Sequence, residues 1–412
     1  MQTLIMRRLL GGAALTMLPM AAVAADLEVT HWWTSGGEAA AVQELARIFE
    51  EQTDHEWVDG AIAGSGATAR PIMVSRIIGG DPMGATQFNH GLQAQELVEA
   101  GMMQDLTEVA ERNGWRDIVN PVELLEACTF EGRVYCAPLN IHSPQWMWTS
   151  PAAFEAAGIE PARTWEELKA AAPALREAGI LPLAQGMQGW QTGLLLYTLV
   201  AGIGGPDFYL EAFETGDEDT LRSDTMAQIF QELAAARDLS SGGNLSEWNM
   251  ATARIIEGTA GAQVMGDWAQ GEFALAGKVA GEDYDCFIGL GGAPVIATGG
   301  DAIYFPVNRD DEVTEAQVAL AEVILGEEAQ IAFNAAKGSL PVRGDIDLAE
   351  VNACTQKGLE TLEAGNTIPA IDLVISPDAR GQIEDMTAEF FGSALTPEDA
   401  HERLVSIVLA DK

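Results

Sequence analysis

The spacing of apolar residues changes repeatedly along the chain, and each change marks a new element. Leu27-Glu28-Val29-Thr30-His31-Trp32-Trp33 alternates apolar and polar side chains and predicts an opening strand, followed by Thr34-Ser35-Gly36-Gly37. Over residues 38–51 the period lengthens, and Val42, Leu45, Ile48 and Phe49 share one helical face. The glycine-rich loop Gly64-Ser65-Gly66 leads to a second helix over about 70–78, ended by Gly79-Gly80-Asp81-Pro82. A short strand at 85–88 and a helix at 93–100 come next. This alternation is the rhythm of a sheet covered by helices, and it predicts an α/β fold.

Beyond it, Cys128 and Cys136 flank Thr129-Phe130-Glu131-Gly132-Arg133-Val134-Tyr135, which reads as two short strands around a Glu-Gly turn. The run 137–148 is apolar and β-prone with two prolines, and it suits an extended crossover. Thr164, with Glu167 three residues on, caps a further helix. More helices are expected near 193–200, 225–239, 249–257 and 313–325, strands near 261–265 and 303–307, and a mostly helical tail from 383. No repeat, low-complexity tract or long linker interrupts the chain.

The first residues add a compartment. Arg7 and Arg8 precede an apolar stretch over 9–23, and Ala22-Val23-Ala24 stands before Ala25-Asp26. A basic start, a short apolar core and an A-x-A site predict a secretory signal peptide over residues 1–24, and hence periplasmic export. The stretch is too short for a comfortable membrane span. Removing it takes two arginines and no acids from the formal charge of −40, leaving −42. Such a chain repels nucleic acid and anionic membranes, and on overall charge a neutral or cationic ligand fits better than an anionic one. The 412 residues exceed what one compact core needs, so two domains are expected. In an exported protein the four cysteines read as two disulfides, Cys128–Cys136 and Cys286–Cys354. Metal binding is the weaker reading, because there is no C-x-x-C or His-Cys cluster.

Catalytic signatures are missing: the chain has no P-loop, no GxSxG elbow, no HExxH and no EF-hand loop. Nothing in it asks for a cofactor. Gly64-Ser65-Gly66 is only a fragment of a phosphate cradle and reads as a turn. Tryptophan placement is more informative. Trp32 and Trp33 sit at a strand end beside glycines, where an open α/β sheet presents ligands. Adjacent strand residues point to opposite faces, so one ring suits the core and the other a cleft; the alternative is two core rings. Trp268 follows Gly266-Asp267 in the same way, while Asp301 and Lys337 lie in glycine-flanked turns.

Several segments, in order and at similar spacing, resemble the glucose/mannose-type solute-binding proteins of bacterial sugar ABC transporters. They are Trp32-Trp33 with Glu38, Gly79-Gly80-Asp81-Pro82 followed by Gln87, and Pro138-Leu139-Asn140-Ile141-His142. Thr164-Trp165-Glu166-Glu167, Met265-Gly266-Asp267-Trp268 and Lys337-Gly338-Ser339 continue the series, which covers the whole mature chain. The resemblance implies a non-enzymatic, two-lobed binding protein with hinge strands and an interlobe cleft. Its lobes would be residues 26–140 with 302–337, and 141–301 with 338–412. The ligand would be a monosaccharide or small glycoside, and the partners the membrane permease subunits of the importer. Sugar-contacting positions carried over are Trp32, Trp33, Glu38, Gln87, Asn89, Trp268, Asp301 and Lys337. Two positions depart from the pattern: Asn89 replaces a longer basic side chain, and Asp372 stands where relatives place a histidine. An ionised Asp372 only accepts hydrogen bonds, which points to a ligand with an extra donor beside it and to Lys337 as the compensating cation. Two rival readings use the same residues. One is a carrier of a cationic osmolyte or polyamine in a tryptophan cage. The other is a secreted carbohydrate-active enzyme with Glu38 and Asp301 as paired carboxylates.

Overall fold

The computed structural model describes residues 25–292, 294–346 and 351–412, so the expected signal peptide lies outside the described residues. The chain opens with β1 (Asp26–His31), α1 (Gly36–Gln52), β2 (Glu56–Ala61), α2 (Ser65–Gly79) and β3 (Ala85–Asn89). A small hairpin, Thr129–Phe130 with Arg133–Val134, precedes β4 (Cys136–Pro138). Then come β5 (Trp146–Thr149), β6 (Leu181–Leu183), α3 (Gly189–Leu199), α4 (Trp248–Ile256) and β7 (Ala260–Val264). They lead to α5 (Ala269–Leu275), β8 (Asp285–Ile288) and β9 (Ile296–Thr298). The last labelled elements are β10 (Asp301–Tyr304), α6 (Glu327–Lys337), α7 (Ala353–Glu363), β11 (Thr367–Pro369) and α8 (Pro377–Gly392).

Two main sheets result, as an α/β fold requires. The first has the order β2-β1-β3-β10-β4, with β10 antiparallel between β3 and β4. The second has the order β8-β5-β7-β6. Strands β5 and β7 are buried along their whole length, because helices cover both faces. Helix α1 lays Ala41, Val42, Leu45, Ile48 and Phe49 into the first core, and α6 packs against it. Helix α7 packs instead on β8 and β9.

The chain passes between the sheets three times: from β4 to β5, from β9 to β10, and from α6 towards α7. These passages are hydrogen-bonded side by side. Ile141 N donates to Leu340 O at 2.7 Å and Leu340 N to Ile141 O at 3.1 Å. His142 N donates to Gly299 O at 2.8 Å, and Leu139 N to Asp301 O at 3.0 Å. Packing is tight enough to dictate sequence: a Cβ on Gly300 would lie 2.2 Å from the Asn140 carbonyl oxygen, so only glycine fits.

Residue periodicity does not show β2, β8, α6 or α7. Strand β2 is a mostly exposed edge with no apolar alternation, and β8 is only four residues long. Both expected disulfides form. Cys128–Cys136 closes the hairpin, whose Glu131 and Gly132 both have positive φ, 48° and 79°, as a tight two-residue turn demands. Cys286–Cys354 ties β8 to α7 across 68 residues. In the chain-entropy account, removing the second bridge costs about 4 kcal/mol and removing the first about 2.5 kcal/mol. Urea melts of Cys286→Ala/Cys354→Ala and Cys128→Ala/Cys136→Ala should therefore rank in that order. Equal losses would contradict the ranking.

Candidate functional site

A cavity of about 380 Å³ lies where the three passages run between the sheets, within the usual size of small-molecule sites. The passages supply His142, Asp301 and Lys337 to its wall, while Glu38 comes from α1, Arg70 from α2, Glu247 from the start of α4 and Arg380 from α8. Strand β10 runs antiparallel to β3 with Asp301 opposite Asn89 and Ile303 opposite Gln87. Gln87 and Asn89 therefore share a face, while Phe88 points the other way into the core. Gln87 Nε2 donates to Asp301 Oδ1 at 2.6 Å, and Asn140 Nδ2 donates to Asp301 Oδ2 at 3.0 Å. Asp301 N returns a bond to Asn140 Oδ1 at 2.8 Å.

His142 stands between two buried carboxylates. Its Nε2 lies 2.7 Å from Asp301 Oδ2 and its Nδ1 2.9 Å from Asp267 Oδ1, so both ring nitrogens donate. Burial disfavours the imidazolium, but Asp301 and Asp267 outweigh it and raise the pKa to about 8. Burial likewise opposes ionisation of Asp301, yet His142, Lys337 and Asn140 hold its carboxyl well below the usual range. Asp267 is pushed up, because its own burial exceeds the pull of His142.

A second pair closes the neighbouring wall. Ser35 caps α1, and Glu38 completes a capping box by accepting from Ser35 N at 3.4 Å. The other Glu38 oxygen pairs with Lys337 Nζ at 2.8 Å, and the two residues are only 9 % and 2 % exposed. Lys337 ends α6, where Gly338 turns left-handed at φ 85°, and its ammonium lies 5.9 Å from the Trp268 ring centre.

The adjacent tryptophans, just past the end of β1, separate. Trp33 packs between His31 and Phe333 and is 2 % exposed, although it reaches the wall. Trp32 is half-buried along the cavity, against the backbone of Gly66. Trp268 meets the His142 edge at 5.0 Å and Trp190 at 6.2 Å. Gly266 leaves space for that indole, since a Cβ there would sit 2.1 Å from it.

The expected positions other than Gln87, namely Trp32, Trp33, Glu38, Asn89, Trp268, Asp301, Lys337 and Asp372, all lie on the cavity wall. Gln87 is fully buried behind it, holding Trp32 N at 3.0 Å and Asp301; it positions the wall and is not part of it. The expectation for Asp372 also changes. Asn89 Nδ2 and Gln93 Nε2 donate to its carboxylate at 2.9 and 2.8 Å, and Arg380 pairs with it. The protein thus supplies the donors, and the compensating cation is Arg380, because Lys337 is engaged by Glu38. Arg380 also holds Glu384 at 2.7 Å; burial works against its charge, but the two acids outweigh that. Sequence reasoning did not reach His142, Asp267, Arg70, Arg380, Trp190 or Trp248 as site residues. The available signal was scarcity: half-buried cations and clustered tryptophans are unusual in so acidic a chain.

Comparison with known proteins places these observations. Residues 33–331 match the family of bacterial extracellular solute-binding proteins. A probable sugar-binding periplasmic protein of Brucella melitensis is 36 % identical over 94 % of this chain and 93 % of its own length. One from Rhizobium meliloti is 36 % identical over 99 % of this chain and all of its own. Among solved structures, a chitin oligosaccharide binding protein superposes with a TM-score of 0.78 at 20 % identity, covering 94 % of this chain and 99 % of its own.

The His142 triad makes stability depend on pH. A folded pKa of about 8, raised above the ordinary 6.5, stabilises fully below pH 6.5, and the benefit disappears as pH rises through 8. That contribution is at most about 2 kcal/mol. His90 runs the other way: burial lowers it to about 4, so its contribution is present above 6.5 and lost as pH falls towards 4. Urea melts should place the stability maximum near neutrality, and His142→Gln should flatten the alkaline limb between about pH 7 and 9. An alkaline limb of unchanged slope in that variant would show that His142 is neutral in the native protein.

Proposed function

The chain belongs to the bacterial extracellular solute-binding proteins, and on that premise we propose that it is the periplasmic sugar-capturing component of an ATP-driven importer. It takes its ligand into the cavity between the sheets and delivers it to the membrane permease. No helix among the described residues is long and apolar enough to cross a membrane.

The observation that carries this reading is the wall's mixture of flat indoles and fixed hydrogen-bonding groups. A sugar ring has a C–H face, which an indole covers, and a rim of hydroxyls, which need partners once buried. Trp32, Trp190 and Trp268 offer the faces, while Glu38, Asn89, Asp301 and Lys337 offer the partners. We take the ligand to be a monosaccharide or small glycoside. A quaternary ammonium fits less well, because Lys337, Arg70 and Arg380 all line the cavity. The family is one of binding proteins, not enzymes.

The proposed lobes are residues 26–140 with 302–337, and 141–301 with 338–412. In support, β1 to β4 fall in the first set and β5 to β8 in the second, and the three passages join them. Ligand binding would close the lobes about those passages, driven by its greater affinity for the closed form.

Calorimetry against a panel of monosaccharides and short glycosides should find a ligand. Trp268→Ala should weaken it about tenfold or more through lost stacking. Asp301→Ala should weaken it roughly five- to a hundredfold by leaving partners unpaired. Small-angle scattering should show compaction at saturation. A panel with no binder, or variants that bind as tightly as the parent, would overturn the reading.

A further inference from the structure

The cavity wall carries a cation that no acid among the described residues pairs at ion-pair distance. Of its charged side chains, Lys337 is closed on Glu38, His142 on Asp301 and Asp267, and Arg380 on Asp372 and Glu384. Arg70, in α2, lines the same cavity. Its Nε donates to Gly66 O at 3.1 Å, and its two terminal nitrogens have no acceptor among the described residues. Elsewhere among those residues, the arginines without an ion pair are either exposed, as at Arg163, Arg254 and Arg309, or bonded to carbonyls. Arg237 is the bonded one, giving its guanidinium to the Phe390 and Leu395 oxygens. A half-buried guanidinium lacking acceptors is therefore an exception here, and it occurs at the cavity.

The backbone beside it has the same preference. Gly64, the N-cap of α2, is left-handed at φ 106° and has no side chain to cap the helix. Gly64, Ser65, Gly66 and Ala67 all line the cavity, so the positive end of a 15-residue helix borders the space beside Arg70. Burial and the Arg380 charge pull the Arg70 pKa down, and Asp372 and Glu384 oppose them; arginine stays charged throughout. A guanidinium fork matches a planar oxyanion with two parallel hydrogen bonds, which sugar hydroxyls reproduce without the charge. Another part of the wall differs. Glu247, at the N-cap of α4, accepts from Gln188 Nε2 at 2.8 Å and has no cation, so it suits hydroxyl donors.

We propose that the ligand carries an acidic substituent, a carboxylate or a phosphate ester, received by Arg70 and the first turn of α2. This rests on the sugar-binding reading above. The chain's net charge of −40 is no objection, because the wall's other cations, Lys337, Arg380 and charged His142, are already matched by Glu38, Asp372, Glu384, Asp301 and Asp267, whereas Arg70 has no acid at ion-pair distance. What a ligand meets is that local balance, with Arg70 left over from its pairs.

The test is calorimetry at pH 7 on the mature protein with glucose, galactose, glucuronate, galacturonate and glucose 6-phosphate. At least one acid should bind about tenfold tighter than its neutral parent, and salt should weaken that acid selectively. Carboxylate and phosphate arms identify which group is read. Arg70→Gln should lower the acid-to-neutral affinity ratio about tenfold, and Arg70→Lys should restore part of it. If Arg70→Gln does not fold, the wild-type ratio and its salt dependence decide alone. Neutral sugars that match or exceed their acids, or a ratio unmoved in Arg70→Gln, would sink the inference and leave sugar binding standing. Failure of every sugar, acidic or neutral, would remove both.

Discussion

A charged imidazolium held between two buried carboxylates is the constraint from which the centre of this molecule follows. His142, Asp301 and Asp267 come from three different stretches of chain, and each is costly to bury alone. Together they are tolerable because the remaining lone pairs are also met. Gln87 and Asn140 donate to Asp301, and Ser143 N donates to Asp267 at 2.9 Å. The network works only if the passages from β4 to β5 and from β9 to β10 lie side by side at hydrogen-bonding distance. Gly300 allows that approach, and the backbone bonds from Leu139 and His142 lock it.

Site and crossing point are therefore the same structure. A group that contacts the ligand from this network also sits on backbone that any relative movement of the sheets must bend. Under the proposed function, binding at Asp301 or Lys337 would be felt directly by the passages, with no longer chain of contacts needed. Rigid neighbours limit what bends: Glu38 and Lys337 join the first turn of α1 to the last turn of α6. Buried charge pairs of this kind add little net stability, but breaking one partner leaves an uncompensated charge. They act as positional specifications.

Much of this is legible in the sequence, for physical reasons. Long amphipathic helices such as α1 announce themselves by period, and the cap at Thr164 by residue type. The Trp32-Trp33 pair, just past the end of β1, leaves Trp33 largely in the core and Trp32 along the cavity, the division expected of the two rings. What sequence alone does not disclose is pairing across long separations. Nothing near Asp372 announces Arg380 as its partner, although it is eight residues away, and nothing announces Asn89 across 283. Gln87 shows the same limit from the other side. Its spacing from Asn89 places both on one face, but only the register with β10 reveals that it stops at Asp301.

The contact between α1 and α5 supplies the remaining geometric condition. Gly37 N donates to Glu272 Oε1 at 2.9 Å, placing a carboxylate from α5 on the positive end of α1. At the same point a Cβ on Gly37 would fall 2.5 Å from the Gly271 carbonyl carbon, so the two backbones touch without intervening side chains. Helix α5 begins immediately after Trp268, and α1 begins four residues after Trp32. The approach that two glycines permit therefore bears on the spacing of Trp32 and Trp268, both on the cavity wall. A larger residue at either glycine would force the two helices apart. Aromatic spacing in the cavity is in this sense a property of its glycines.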